Sequence, residues 1–532
     1  MKILHNARIY APGYPDATAL VIDQGRIVAL GREQDILSGF PKAEKVIDLA
    51  GRTIWPGLTD AHVHLRYLAE SRSMVDCETQ SLAKCLARVS ATAQKLPSDA
   101  WVRGHGWNQN LWPEGFGTAE MLDAVCGGRP AFLTAKSLHA AWANSKALEL
   151  AGIDSATPDP PGGTIQRDAN GDPTGILLEG EATALVESII PKPSVDFLAA
   201  SFKALFQELW QMGLVGVHDF DGYDCWLALQ QLYQSGELKF RVRKNVPFNH
   251  LDDFIAADRR TDSGDDWLNI GNVKLFSDGA LGPQTGAMLA PYENSNNTGT
   301  LLLTEEEIIE IGQTTGSNGL ALSIHAIGDR ANRVVLDGFA KLREYEAERD
   351  FPHYRHRIEH VQIISPEDLP RLAKLDIVAS VQPVHGPSDM LMAERYLGER
   401  AAWSYAYQSM ADTGATLVFG SDAPVESVNP FHGLHAAVTR RRLDGSPGPD
   451  GWQPRERLSL SQALAGFSRT PAEIAHRGSH LGRIAPGYKA DLIILPRDPF
   501  EFSPEHLAQS RPIATLIEGE CVFQEAALPF KL

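Results

Sequence analysis

Eight apolar, strand-like runs recur along the chain, and several close on a residue able to bind a metal or move a proton. They end near His64, Asp219 ("VGVHDF"), Pro247 ("FRVRKNVP"), Ser277 ("NVKLFSD"), His325 ("LALSIHAIGD"), His360 ("HRIEH"), Gln382 ("IVASVQP") and Asp422 ("TLVFGSD"). Stretches between them, such as "TEEEIIEIGQTTGSNG" and "RANRVVLDGFAKLREYEAERD", repeat apolar residues at a helical period. Strands alternating with helices call for a parallel sheet, and eight repeats predict an α/β chain folded as a (β/α)8 TIM-like barrel. From the second strand onward the spacing is roughly 20 to 50 residues, near the ~30 that a barrel of about 250 residues implies. Between the first and second it is about 150, so a large insertion after strand 1 is expected to form an α/β subdomain over one barrel face.

The two ends of the chain read differently. "KILHNARIYA", "ALVIDQGRIVALG" and "EKVIDLAGRTIWPG" alternate as short strands punctuated by Gly25 and Gly31, and "LGRIAPGYKADLIILP" and "PIATLIEGECVF" repeat that style. Both ends are predicted to fold together as a composite β-sandwich module. The expected divisions are residues 1–55 and 479–532 for its halves, 56–67 for the first barrel strand, 68–210 for the insertion and 211–478 for the rest of the barrel. In "RLSLSQALAGFSRTPAEIAH", helices are predicted to start at Ser459, with Gln462 completing a capping box, and at Thr470, with Pro471 at the first helical position.

At 532 residues the chain exceeds one ordinary core. A formal charge of −18 argues against a nucleic-acid partner, which needs a basic stripe. The dense run Arg440-Arg441-Arg442 lies in a helix-like stretch and is expected to be a solvated face. Five cysteines in no CxxC or paired spacing predict reduced thiols. "MKILHNARIYAPG" lacks a charged n-region followed by an apolar core and is not expected to act as a leader, and no apolar run is long enough to span a bilayer. These features predict a cytoplasmic protein with a small-molecule partner, no membrane partner, and room for a homo-oligomer.

Chemistry concentrates at the strand ends. In "TDAHVHL", His62 and His64 are two residues apart, so an extended chain aims both to one side. His325, His360 and Asp422 close other predicted strands and project to the same C-terminal rim, where active sites of this architecture sit. Four imidazoles and a carboxylate suit Zn²⁺ or a similar divalent ion. Lys274, in "NVKLFSDG", shares the strand face of Phe276, and a buried amine needs a partner or a lowered pKa. It is either paired with Asp278 or another carboxylate, or carboxylated by CO₂ into an anion able to bridge two metals; spacing does not choose. Glu359, next to His360, is expected to point away by strand alternation.

The ordered motifs "PGLTDAHVHL", the strand-four Lys274, His325, His360, Asp422 and "GRIAPGYKADLIIL" resemble the amidohydrolase superfamily. More narrowly, "GWNQNLWPEG", "HAAWANSKAL", "GGTIQRDANGDPTGILLE", "VKLFSDGALG", "IHAIGDRA", "RIEHVQ", "SVQPVH" and "GSDAPV" resemble its third family, which includes N-substituted formamide deformylases. The resemblance implies a metal-dependent hydrolase in which His62, His64 and Asp422 hold one metal, His325 and His360 a second, and carboxylated Lys274 bridges them. Two zinc-like ions about 3.5–4 Å apart lower the pKa of a shared water, and Asp422 acts as general base and then acid. The expected reaction is hydrolysis of a C–N bond other than a peptide bond, in an N-substituted amide or formamide. Pro283 and Gln284 stand where the family pattern has a Ser-Arg pair, and "KSLHAAW" lacks the acidic or glycine residue before its histidine. Both departures bear on substrate contacts.

For those contacts the candidates are Trp107, His139, Arg330, Gln382 and His385, with Trp112, Phe116, Trp142 and Tyr292 nearby in sequence elements of the same kind. Tryptophans lining a cavity would imply an apolar or aromatic part beside the amide. One alternative is a mononuclear deaminase or cyclic-amide hydrolase. The deaminase form carries an HxxE acid after strand five, whereas His325 is followed by Ala-Ile-Gly-Asp-Arg. Another is a non-catalytic binding or regulatory protein, against which the complete ligand set argues.

Overall fold

The computed structural model describes residues 1–526, 528 and 530–532. Eight parallel strands stand side by side in chain order: β1 (Leu58–Val63), β2 (Leu214–Asp219), β3 (Arg241–Pro247), β4 (Leu268–Phe276), β5 (Leu322–Ala326), β6 (Arg357–His360), β7 (Val378–Val381) and β8 (Leu417–Phe419). Such strands are covered on both faces, by helices outside and by the barrel interior inside, so nearly continuous burial is the rule. All six residues of β2 are buried. The row is joined end to end where the Asp422 N–H donates to His62 O at 2.7 Å and the His64 N–H to Ala423 O at 2.9 Å. Gly420 allows that approach, since a Cβ there would run into the backbone and side chain of His62. Asp60 fastens the same seam by accepting the N–H of His62 at 3.1 Å and of Ser421 at 3.0 Å. Barrel closure therefore brings Asp422 against the two histidines of β1.

Between β1 and β2 lies a six-stranded sheet running from Val75–Asp76 to Pro173–Leu178. Its core is built on Trp107, Trp112 and Trp142. Helix Val195–Gln211, which falls within the expected span of the insertion, packs instead into the barrel's own core through Leu198, Phe202 and Leu209. The chain ends meet where Lys45–Pro56 pairs antiparallel with Leu492–Leu495. The described strands there form one seven-stranded hydrogen-bonded sheet, where a two-sheet sandwich is expected. Strand alternation puts Leu4, Leu20 and Ile22 on one face with Leu492 and Ile494, and Ile3, Ala19 and Val21 on the other with Ile36 of helix Glu33–Gly39.

The triple-arginine run is not a solvated face. Helix Pro430–Thr439 ends there, with Arg440 at φ 58°. The Arg440 side chain is fully buried, its guanidinium 5.1 Å from the Tyr407 ring and 5.3 Å from the Trp452 ring. The capping box at Ser459 is present, while the next helix runs Arg469–Ile474 with Thr470 already inside it. All five cysteines are free, and among the described residues no helix is long and apolar enough to cross a membrane.

Arg241 of β3 binds Asp491 through two bonds, Nε to Oδ2 at 2.6 Å and Nη2 to Oδ1 at 3.0 Å, tying the barrel to the terminal sheet. Removing one partner of a buried pair strands the other charge, at about 3–5 kcal/mol. Arg241→Ala is expected to lose stability of that order in urea unfolding, and Arg241→Met combined with Asp491→Leu to lose less. A larger loss in the double variant would contradict this account of the joint.

Candidate metal centre

His62 and His64 leave the top of β1 with ring centroids 5.7 Å apart. Each ring is pinned on the nitrogen facing away from the cup: His62 Nδ1 donates to Glu359 Oε2 at 2.7 Å and His64 Nδ1 to Asp221 Oδ1 at 2.9 Å. An ionised carboxylate only accepts, so in the neutral imidazole the proton stays on Nδ1 and Nε2 carries the lone pair. Both Nε2 atoms face one oxygen, Asp422 Oδ1, at 3.4 Å from His62 and 3.3 Å from His64. Lone pairs so arranged repel unless a proton or a cation stands among them. Burial opposes a charge on His64, but its hydrogen bonds with Asp221 and Asp422 push it up to about 10. Burial holds His62 below its usual value, and its Nε2 has no hydrogen-bond partner. Two ligand atoms each about 2.0–2.2 Å from one tetrahedral ion lie about 3.4 Å apart. The donor set thus fits a divalent cation.

The remaining predicted ligands surround this pair. His360 Nδ1 donates to Gln382 Oε1 at 2.8 Å, which turns its lone-pair Nε2 the other way. The His325 ring lies 4.6 Å from that of His360, but its Nε2 bonds Gly279 O at 3.0 Å, leaving Nδ1 as the basic nitrogen. Burial opposes the charge on Asp422, yet His64 and His62 hold its carboxyl well below the usual range. Lys274 is buried in β4 with its Nζ 5.0 Å from the Phe220 ring centre and 4.5 Å from that of Phe276. Burial pulls the amine down to about 8, with Glu359 and Asp422 opposing. Its expected partner Asp278 is otherwise engaged, accepting the N–H groups of Ala287, Ile327 and Gly328 at 2.8, 2.9 and 2.8 Å. A Lys274–Asp278 salt bridge is therefore absent.

Glu359 does not point away. Arg357 and Glu359 share the inward face of β6, and His360 adopts φ 76°, which breaks the alternation and brings its ring to the same cup. Glu359 accepts from His62, from Arg357 Nη2 at 3.0 Å and from the Ser323 hydroxyl. Burial works against its charge, but Arg357 and His62 hold it well below the carboxylate range. Asp221, which orients His64, also escaped sequence reasoning. Its signal is the pair of carboxylates in "HDFD" at the tip of β2, beside the β1 histidines.

Two cavities, about 210 and 330 Å³, meet over the cup and share His139, His325, His360 and Asp422. Of the predicted substrate contacts, His139 reaches both, with Nδ1 held by Glu179 Oε2 at 2.8 Å. His385 lines the first cavity. Trp107 touches it too, but is fully buried, donates to Leu133 O at 2.8 Å and packs with Trp112 and Trp142, so it is chiefly core. Gln382 lines neither cavity; its role is to orient His360. Arg330 is exposed and outside both, because Asp329 takes the buried place in the first helical turn, accepting the Leu289 N–H at 2.8 Å. Tyr292 is likewise core, its hydroxyl donating to Gly286 O at 2.7 Å.

A model of the amidohydrolase family matches residues 45–523. The chain is 32% identical to Protein LONG AFTER FAR-RED 3 of Arabidopsis thaliana, over 96% of this chain and 89% of that one. It is 28% identical to the N-substituted formamide deformylase of Arthrobacter pascens, over 94% of each. Among solved structures, an uncharacterized metal-dependent hydrolase from Pyrococcus horikoshii OT3 superimposes with a TM-score of 0.77 at 28% identity, covering 95% of this chain and 99% of that one.

Glu359→Gln keeps the shape of the His62 support but removes its charge. Partners of this kind are worth about 10–100-fold in metal affinity. Competition with a chromophoric chelator is expected to show a loss in that range for the folded variant; unchanged affinity would contradict the role assigned to Glu359.

Proposed function

The chain belongs to the amidohydrolase family, and from that premise we propose that it is a divalent-metal-dependent hydrolase cleaving the C–N bond of an N-substituted amide or formamide. The observation that carries this reading is the convergence of two Nδ1-pinned imidazoles on one oxygen of Asp422, 3.3 and 3.4 Å away. The amide class is supported by the likeness to the formamide deformylase. Bound divalent ions, two zinc ions in this reading, supply Lewis acidity that polarises a carbonyl and makes water acidic.

The chain's own residues do the rest. His62, His64 and Asp422 would hold the first ion, and His325 and His360 would contribute to a second. Lys274, with an amine lowered to about 8, has a neutral fraction able to attack CO₂. An N–C bond would form and the nitrogen's proton leave to solvent, giving a carbamate anion on Lys274 that would supply a further anionic oxygen donor to the cup. Asp422, kept ionised among the histidines, takes the proton of the attacking water and hands it to the departing nitrogen. His139, fixed by Glu179, faces the junction of the two cavities and orients the acyl group there. Leu281, Leu391 and Met392 wall the first cavity and suit an apolar substituent beside the amide.

Metal-loaded protein is expected to release amine from members of an N-formyl and N-acyl amine panel, and Asp422→Asn to turn over about 10²–10⁴-fold more slowly. No amine from any substrate, or near-normal turnover by the variant, would contradict the reading. Lys274→Ala is expected to be inactive and partly restored by a short-chain carboxylic acid. Activity that no such acid restores would remove the carbamate from the scheme.

A further inference from the structure

We infer, on the reading that Asp422 serves a divalent cation, that the insertion positions this residue through His105 and Lys136, which clamp the segment behind it. Asp422 sits at φ 59°, a left-handed conformation that a residue other than glycine keeps where its surroundings impose it. In front of it the barrel supplies the restraints: its own N–H donates to His62 O at 2.7 Å, and Ser421 is tied to Asp60. Behind it the barrel supplies few. From Pro424 to Val428, among the described residues, no backbone hydrogen bond reaches a barrel strand, and the Val425 N–H turns back to Asp422 O at 2.8 Å. The next barrel anchors are the Ser388 hydroxyl, which donates to Glu426 Oε1 at 2.5 Å, and Val428, which packs in the core. The chain is not helical again until Pro430.

The insertion fills that gap at two points. Its strand Val102–Trp107 lies beside Ala131–Ala135 with His105 opposite Thr134. His105 Nε2 is 3.1 Å from Pro424 O, and its Nδ1 is 2.9 Å from Thr134 Oγ1. A carbonyl only accepts, so Nε2 carries the proton and the Thr134 hydroxyl donates to Nδ1. Burial lowers the pKa of this imidazole, which favours the neutral form that the two bonds require. Lys136 follows the second strand, with Nζ 3.1 Å from Glu426 Oε1 and 2.7 Å from Glu78 Oε1. Burial opposes its charge, but Glu426 and Glu78 hold the ammonium above its usual range.

Pro424 and Glu426 are thus gripped two and four residues beyond Asp422. Val425, between them, lines both cavities, so any slip of the segment shifts the dividing wall together with the carboxylate. Other joints between insertion and barrel fall on different loops, such as Gln109 Nε2 to Gly282 O at 3.2 Å. Loss of one clamp therefore frees the Asp422 segment without detaching the insertion.

Two measurements on metal-stripped protein test the clamp: hydrogen exchange of a peptide spanning residues 421–429, and Co²⁺ affinity by competition with a chromophoric chelator. His105→Leu fills the space but lacks the donor. With circular dichroism matching the natural protein, it is expected to exchange faster in that peptide alone and to bind Co²⁺ about 10-fold more weakly, as when a partner that orients a ligand is lost. His105→Gln, which keeps an N–H donor, is expected to recover most of both, and Lys136→Met to shift both in the direction of His105→Leu. Unchanged exchange in His105→Leu and Lys136→Met, equal damage in His105→Gln, or faster exchange spread evenly over insertion and barrel would overturn the assignment. If the natural protein binds no Co²⁺, the proposed metal chemistry falls, while the exchange result, which needs no metal, still decides whether the insertion holds the Asp422 segment.

Discussion

One carboxylate oxygen facing two imidazole nitrogens organises this molecule. Asp422 Oδ1, His62 Nε2 and His64 Nε2 repel one another in a buried cup unless positive charge stands among them. The protein surrounds that contact with supports that leave little freedom. Glu359 and Asp221 fix the tautomers, Arg357 and Ser323 fix Glu359, and Asp60 ties the β1 backbone to Ser421. Each support is a charge or dipole whose own burial is compensated by further hydrogen bonds, the condition under which buried polar networks specify one arrangement.

The barrel makes this economical because the contact and the closure of the sheet are one event. Backbone bonds at His62 and His64 join β1 to the loop after β8, and the same residues present their rings to Asp422. A chain that failed to close would separate the ligands along with the strands. Gly420 is the local condition, since any side chain there would hold the two ends apart. The insertion adds His139 and Glu179 to the rim without entering the ring of strands, so it shapes what approaches the cup and leaves the cup itself intact.

Much of this is legible in the sequence because periodicity reports burial directly. The eight barrel strands end within a few residues of the positions predicted from apolar runs, and His62, His64, His325, His360 and Asp422 do converge at one rim. What periodicity misses is where the backbone departs from it. The left-handed φ of His360 puts that ring and Glu359 on the same cup, so alternation misplaces Glu359. The helix that carries Thr439 stops at Arg440, so an apparent charged face becomes a buried arginine stacked among aromatics. Arg330 and Gln382 look like substrate contacts because they follow strand ends, yet one turns outward on its helix and the other backs a histidine. Whether paired edges make one sheet or two depends on contacts between chain ends that local sequence does not encode, and here they make one.

The most direct measurement is anomalous diffraction at the absorption edge of the bound metal, from crystals of the natural protein grown with that ion. The account predicts a peak enclosed by His62 Nε2, His64 Nε2 and Asp422 Oδ1, with both imidazoles still bonded through Nδ1 to Glu359 and Asp221. A cup with no anomalous peak, and either ring turned away from its carboxylate, would contradict it.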